Sequence, residues 1–163
     1  METMHAADIR LVFTADDTTV AADLLDAFNR EFDTPTPGTG AIATRLAALL
    51  GDQTTFALIA ALPGSGEIAG IALVTLRTNV WYQGWVGLLD ELYVVPEHRN
   101  RGLGTALLRA AEAEILARGG EVLEIGVDGE DVDAQRFYER AGYVDHDEWS
   151  DLPAKMYFRE LNS

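Results

Sequence analysis

"VVPEHRNRGLGTALLRAAEA", Val94 to Ala113, is the stretch on which the reading of this chain turns. A β-like run stops at Pro96, Arg99, Arg101, Gly102 and Gly104 follow, and then an alanine-rich amphipathic run begins. A helix N-terminus presents unpaired backbone N–H groups and a partial positive charge. Glycine lets a ligand come close to that backbone, and guanidinium groups add charge-assisted donors. The combination reads as an anion site, most naturally for a diphosphate. It stands out because Asp and Glu number 27 against 12 Lys and Arg, for a net charge of −15. A P-loop needs G-x-x-x-x-G-K-S/T, which is absent. A dinucleotide fingerprint needs a third glycine at position 107, where the chain has Leu107.

Working outward, the run before Pro96 is "VWYQGWVGLLDELYVV", a long strand region. Upstream of it "TFALIAA" and "IAGIALVTL" read as strands joined by the turn "LPGSGE", with a polar "RTN" after the second. At the start, "DIRLVF" alternates at Ile9, Leu11 and Phe13 as a strand does. "TADDTT" is rich in N-cap residues, and Val20, Leu24, Phe28 and Phe32 then recur at helical spacing. "DTPTPGTG" breaks that helix, and Ile42, Leu46, Leu49 and Leu50 mark a second, short one. Downstream of the glycine turn a helix is expected over 103–118, with Leu103, Leu107, Ala111 and Ile115 in one row and Gly119-Gly120 as its stop. "EVLEIGV" follows as a strand. A further helix carries the stripe Ala134, Phe137, Tyr138 and Ala141 and stops at Gly142, and "YVDHDEW" with "KMYFREL" reads as a closing antiparallel pair. The order predicts a mixed α/β domain with helices packed on a largely antiparallel sheet. A chain of 163 residues, 48% apolar, fits one domain spanning 1–163.

Several classes drop out on composition. No apolar run reaches about 18 residues, so no membrane span is expected, and "METMHAADIR" lacks the basic and apolar regions of a secretory signal. Cysteine is absent, which excludes disulfides, thiolate metal sites and a cysteine nucleophile. His5, His98 and His146 are scattered without metal-ligand spacing, so no metal is expected. The acid excess repels nucleic acid and anionic lipid and leaves no expectation of either as partner. A cytoplasmic protein is expected. The acidity also matches a plain compositional bias, with Lys155 the single lysine.

The segment "LYVVPEHRNRGLGTALL" resembles the coenzyme A-binding motif of the GNAT acetyltransferase superfamily, Gln/Arg-x-x-Gly-x-Gly/Ala, with Arg99, Gly102 and Gly104 at its key positions. "DVDAQRFYERAGYV" resembles the family's N-x-x-A-x-x-F-Y-x-K-x-G-F helix through Ala134, Phe137, Tyr138, Gly142 and Tyr143. Asp131 stands where the family has asparagine, and a carboxylate there cannot donate to the cofactor as an amide would.

The resemblance implies acetyl-CoA in a cleft between two splayed central strands, here "DELYVV" and "EVLEIGV". Pantetheine would run along Leu92, Tyr93 and Val94, and the diphosphate would sit on Arg99, Asn100, Arg101, Gly102, Leu103, Gly104 and Thr105. Asp131, Ala134 and Phe137 would complete the cofactor set. It implies direct transfer to a primary amine, without an acyl-enzyme. Such chemistry needs a base for the amine, a donor for the oxyanion and an acid for the leaving thiolate. A backbone N–H near a bulge in "ELYVV" suits the oxyanion, and Tyr138 matches the family's acid. Asp90 and Glu91 are the candidate bases. They are adjacent, so regular strand geometry sends them to opposite faces. The polyamine acetyltransferase branch carries a functional carboxylate at the position of Asp90, which favours Asp90 with Glu91 close behind.

Phe32, Trp81, Tyr82 and Trp85, with the acidic "DHDEWSD" near the C-terminus, suit an ammonium group and so a small cationic amine. Acetylation of protein N-termini or lysines and a non-catalytic acyl-CoA-binding module are the alternatives. A homodimer is compatible with the resemblance.

Overall fold

The computed structural model describes residues 7–162; His5 and most of the N-terminal stretch read above lie outside the described residues. The chain divides after Ile125 into two compact units. The first holds a five-stranded sheet in the order β1-β2-β3-β4-β5. Its elements, in sequence, are β1 (Asp8–Leu11), α1 (Ala15–Glu31), α2 (Thr39–Leu50), β2 (Thr55–Ala61), β3 (Ile68–Asn79), β4 (Tyr82–Val94), a 3₁₀ turn at Pro96–His98, α3 (Leu103–Ala117) and β5 (Val122–Ile125). β1 to β4 pair antiparallel, and β5 pairs parallel to β4 after the α3 crossover. Among the described residues no helix is long and apolar enough to cross a membrane.

The helices form because their caps and stripes agree. Thr14 caps α1, its Oγ1 accepting the Asp17 N–H at 3.0 Å. The helix ends with the Thr34 N–H on the Asn29 carbonyl and Asp33 in the left-handed region, the position glycine more often fills. α3 ends as the glycine pair predicts, with the Gly120 N–H on Ile115 and the Gly119 N–H on Leu116. Leu103, Leu107, Leu108, Ala111 and Ile115 of α3 are buried against the sheet. An N-cap hydroxyl is worth about 1 kcal/mol. Thr14→Ala should therefore lower the unfolding free energy by about that amount, read as a shift of the urea midpoint at unchanged slope.

Two faces of the sheet are distinct. Tyr93, Ile71, Ile59 and Ala57 pack with Leu24 of α1 and Leu46 of α2. On the other face a methyl at Gly70 would lie 2.9 Å from Leu107 of α3, and one at Gly87 would lie 2.6 Å from Ile115. Glycine at these two positions lets α3 sit close to the sheet.

β3 runs three residues beyond the expected "IAGIALVTL", taking in the polar "RTN". Arg77 is held there by a bidentate bond to Glu124 of β5, at 2.7 and 2.9 Å, a cross-strand pairing that local polarity does not announce.

The second unit carries α4 (Val132–Arg140). Asp131 caps it, Oδ1 accepting the Ala134 N–H at 3.0 Å. It closes at Gly142, with φ +97°, where the Tyr143 N–H bonds to the Tyr138 carbonyl at 3.0 Å. The expected closing pair of strands is not formed. The Ala154 N–H, just ahead of the second segment, bonds to the Asp145 carbonyl at 2.6 Å, and among the described residues no main-chain bond joins the two segments themselves. Asp145, Asp147, Glu148 and Asp151 crowd one segment with like charge. Tyr157 and Phe158 remain 87% and 90% exposed, so no buried face rewards a register.

Candidate active site

The first element of the site is a fault in the β3–β4 ladder. Val74 pairs with Leu89 and the next residue, Leu73, pairs with Glu91, so Asp90 is an extra residue, a β-bulge. The consequence for side-chain direction is decisive. Glu91 shares its face with its partner Leu73, which packs on the α1/α2 core. Thr75 lies on that face too, two residues along β3. Its hydroxyl donates to an Asp90 carboxylate oxygen. Asp90 and Glu91 therefore stand on the same face, and the expectation of opposite faces is corrected: strict alternation fails where one strand carries an unpaired residue.

Burial raises both carboxyls above the usual range. The bond from Thr75 works against the rise at Asp90, whereas at Glu91 the neighbouring Asp90 charge adds to it.

A cavity of about 220 Å³ opens on this face, with Glu91 in its wall. Leu25 and Asn29 of α1, Ile42, Arg45, Leu46 and Leu49 of α2, Pro37 and Leu73 complete it. Its rim is pinned. Asp26 accepts from Thr36 and from Arg30, each at 2.7 Å, which holds its carboxyl below the usual range, and Asn29 donates to the Pro35 carbonyl at 3.1 Å. Gly38, at φ +91°, turns the chain into α2.

The second element is a strand edge. β5 pairs with β4 only from Val86 to Leu89. Beyond the bulge, Glu91, Leu92, Tyr93 and Val94 pair with β3 on one side. Among the described residues no strand pairs with them on the other. β5 ends at Ile125, opposite Leu89, so its pairing with β4 stops where the bulge begins.

The third element is the turn that opens α3. Asn100 and Gly102 take left-handed backbone, φ +59° and +85°. α3 has no side-chain N-cap bond, so the first N–H groups of Leu103, Gly104 and Thr105 are unclaimed by a cap. A methyl at Gly102 would meet nothing within 4 Å, so its need is conformational and the backbone there stands open. A strand edge that no second strand covers among the described residues, leading to an uncapped helix N-terminus beside Arg101, fits the pantetheine and diphosphate of a coenzyme A thioester.

The side chain of Arg99 has other work. Its Nε donates to the Val94 carbonyl at 2.9 Å, its Nη2 donates to Glu31 at 2.8 Å, and the guanidinium lies 5.5 Å from the Tyr93 ring centre. The Tyr93 hydroxyl also donates to Glu31, and burial with that contact raises its pKa. Phe28 stacks on Tyr93 at 5.0 Å, and Phe32 meets Phe28 edge-on at 5.4 Å. Phe32 is thereby brought near Tyr93 and Arg99. Trp81 and Tyr82 lie at the far end of β4, about 30 Å from Glu91 at ~3.3 Å per strand residue. Trp85 shares the α3 face with Gly87 by alternation. Tyr138, Ala134 and Phe137 belong to the second unit, where the Tyr138 ring packs on Phe137 and Tyr143 at 5.1 and 6.1 Å. Sequence reasoning did not single out Glu31, Thr75, Arg45 or Asn29. Each gains its place from tertiary packing, and no local motif marks it.

The comparisons with known proteins agree with this architecture. The model of the acetyltransferase (GNAT) family matches residues 21–143, and the chain belongs to that family. A proposed acetyltransferase from Arthrobacter sp. FB24, known from a crystal structure, is 42% identical over 99% of both chains with a TM-score of 0.85. An aminoalkylphosphonate N-acetyltransferase of Salmonella typhimurium is 34% identical over 48% of this chain and 51% of its own length. An aminoglycoside N(6')-acetyltransferase of Klebsiella aerogenes is 38% identical over 39% of this chain and 43% of its own. The chain thus spans about half the length, or less, of these curated relatives.

Proposed function

We propose that the protein is an acetyl-CoA-dependent N-acetyltransferase that transfers acetyl directly to a primary amine of a small molecule. The observation that carries this reading is the bulge at Asp90, which sets two carboxylates with raised pKa beside both a small cavity and an unpaired strand edge. When bound, acetyl-CoA supplies an activated acetyl group and a thiol leaving group. Main-chain groups of Leu92, Tyr93 and Val94 hold the pantetheine arm. The N–H groups at Leu103, Gly104 and Thr105, with Arg101 and Asn100, hold the diphosphate. Arg99 acts through its ties to Glu31 and Val94, fixing the end of β4 against α1.

Glu91, in the cavity wall, takes the proton of the incoming ammonium, and Asp90 keeps the Glu91 pKa high enough for that proton to transfer readily. A main-chain N–H at the bulge stabilises the oxyanion, and Tyr138 returns a proton to the thiolate. Cytoplasmic location accords with this use of acetyl-CoA.

Thiol release from acetyl-CoA across an amine panel tests the reading, together with calorimetry of CoA alone. Micromolar CoA binding with turnover of at least one small amine is expected. CoA binding without turnover of any amine or peptide points instead to a non-catalytic acyl-CoA module, and turnover of peptides alone to a protein acetyltransferase. Arg101→Glu should weaken CoA binding about tenfold or more, and added salt should weaken the parent's binding as well. Unchanged affinity in that variant removes the diphosphate from this loop.

A further inference from the structure

Arginines of the first unit are almost all neutralised. Arg10, Arg30, Arg77, Arg99, Arg109 and Arg118 each form an ion pair with a carboxylate. With 27 acidic residues against 12 basic ones, pairing is the expected state. Arg101 and Arg45 are the exceptions: neither has a hydrogen-bond or ion-pair partner among the described residues. Arg101 lies in the turn assigned to the diphosphate. Arg45 lies in the wall of the cavity that also contains Glu91.

Among the described residues no ion pair joins Arg45 to Glu91, so the lining of the cavity carries one cation and one anion, together with the apolar side chains of Leu25, Ile42, Leu46 and Leu73. Two opposite charges in one cavity that do not meet each other suit a molecule carrying both charges at its ends. The cavity, about 220 Å³, has room for a short chain.

We propose that the acetyl acceptor is a small zwitterion whose ammonium group lies at Glu91 and whose oxyanion, a carboxylate or a phosphonate, lies at Arg45. The proposal rests on the acetyltransferase reading and specifies its substrate class. In the transfer, the amine nitrogen bonds to the acetyl carbon as the thioester C–S bond breaks. One ammonium proton passes through Glu91 to solvent and a second reaches the sulfur, so the products are the acetamide, CoA thiol and one proton. The oxyanion at Arg45 takes no part in bond making; it orients the chain.

The test compares three amines of matched length: 3-aminopropanoate, 2-aminoethylphosphonate and 1,3-diaminopropane. The two zwitterions should exceed the diamine in kcat/KM by about tenfold or more, because a charge-assisted contact is lost with the diamine. The better of the two identifies the oxyanion. Arg45→Gln should raise KM for the preferred zwitterion about tenfold and bring the preference over the diamine close to one, with Arg45→Lys restoring part of it. A diamine preference, or a zwitterion preference untouched in Arg45→Gln, overturns the proposal. Binding of each zwitterion to the parent and to Arg45→Gln, measured by calorimetry without acetyl-CoA, separates this idea from the reaction itself. Zwitterion binding that needs Arg45 in a protein without turnover supports the site while the acetyltransferase reading fails. Equal binding by the two proteins sinks the site even if turnover is found.

Discussion

Glu91→Gln should lower kcat by about 10²- to 10⁴-fold, the usual worth of a positioned general base. The substitution keeps the size of the side chain in the cavity wall and removes its ability to hold a proton. The carboxyl is raised by burial and by the charge of Asp90, so the acid limb of the parent's pH–rate profile should lie above the range of an ordinary glutamate. Activity rises as the pH climbs through that limb, because the base must be ionised. Asp90→Asn provides the matching test. Without the Asp90 charge, the Glu91 pKa falls, and the acid limb should move to lower pH with a smaller loss of kcat. A large loss in Asp90→Asn beside near-normal turnover in Glu91→Gln would exchange the two roles. Stability separates chemistry from damage. A carboxyl whose folded pKa is raised favours folding below its unfolded pKa and loses that contribution as the pH rises through the folded one. At neutral pH the ionised Glu91 therefore opposes folding, and Glu91→Gln should unfold at a temperature no lower than the parent's.

Tyr138→Phe should likewise reduce kcat by about 10²- to 10⁴-fold with little change in CoA affinity. The substitution keeps the ring that packs on Phe137 and Tyr143, so the helix should persist and circular dichroism should be unchanged. On its proposed role as proton donor to the thiolate, its loss should also make the remaining rate depend on the leaving group: an acyl donor with a more acidic thiol should recover part of the activity. An unchanged kcat would take Tyr138 out of the mechanism and leave it as a packing residue of α4.

These two residues were legible in the sequence to different degrees. Tyr138 sits within a motif whose spacing is local, and the Gly142 stop fixes where its helix ends. The turn at Gly102 was legible for the same reason, since left-handed backbone before an uncapped helix is a nearest-neighbour property. Asp90 and Glu91 were visible as a pair, but their common face was not. A bulge depends on which residue of β3 lies opposite, and that is set by the register of the whole ladder. Arg45 belongs to the same class. Helical spacing puts it beside Leu46 and Leu49, yet only the docking of α2 on the sheet brings it to the cavity that contains Glu91. At the C-terminus the alternation of "KMYFREL" suggested a strand, but its expected partner is crowded with carboxylates and Tyr157 and Phe158 find no buried face, so the pair does not form.

The end of β5 opposite Leu89, which among the described residues leaves the rest of β4 unpaired on that side, also bears on how the protein behaves in storage. Exposed main-chain donors and acceptors along a strand invite a stray segment from a neighbouring molecule, the usual origin of edge-to-edge aggregation. A bend and inward-facing charges are standard protections against it; the extra residue Asp90 provides the bend, and the carboxylate of Glu91 beside it, in the cavity wall, provides the charge. Neutralising Asp90 and Glu91 together should therefore cost colloidal stability in dilute ligand-free solution, a liability separate from any loss of turnover.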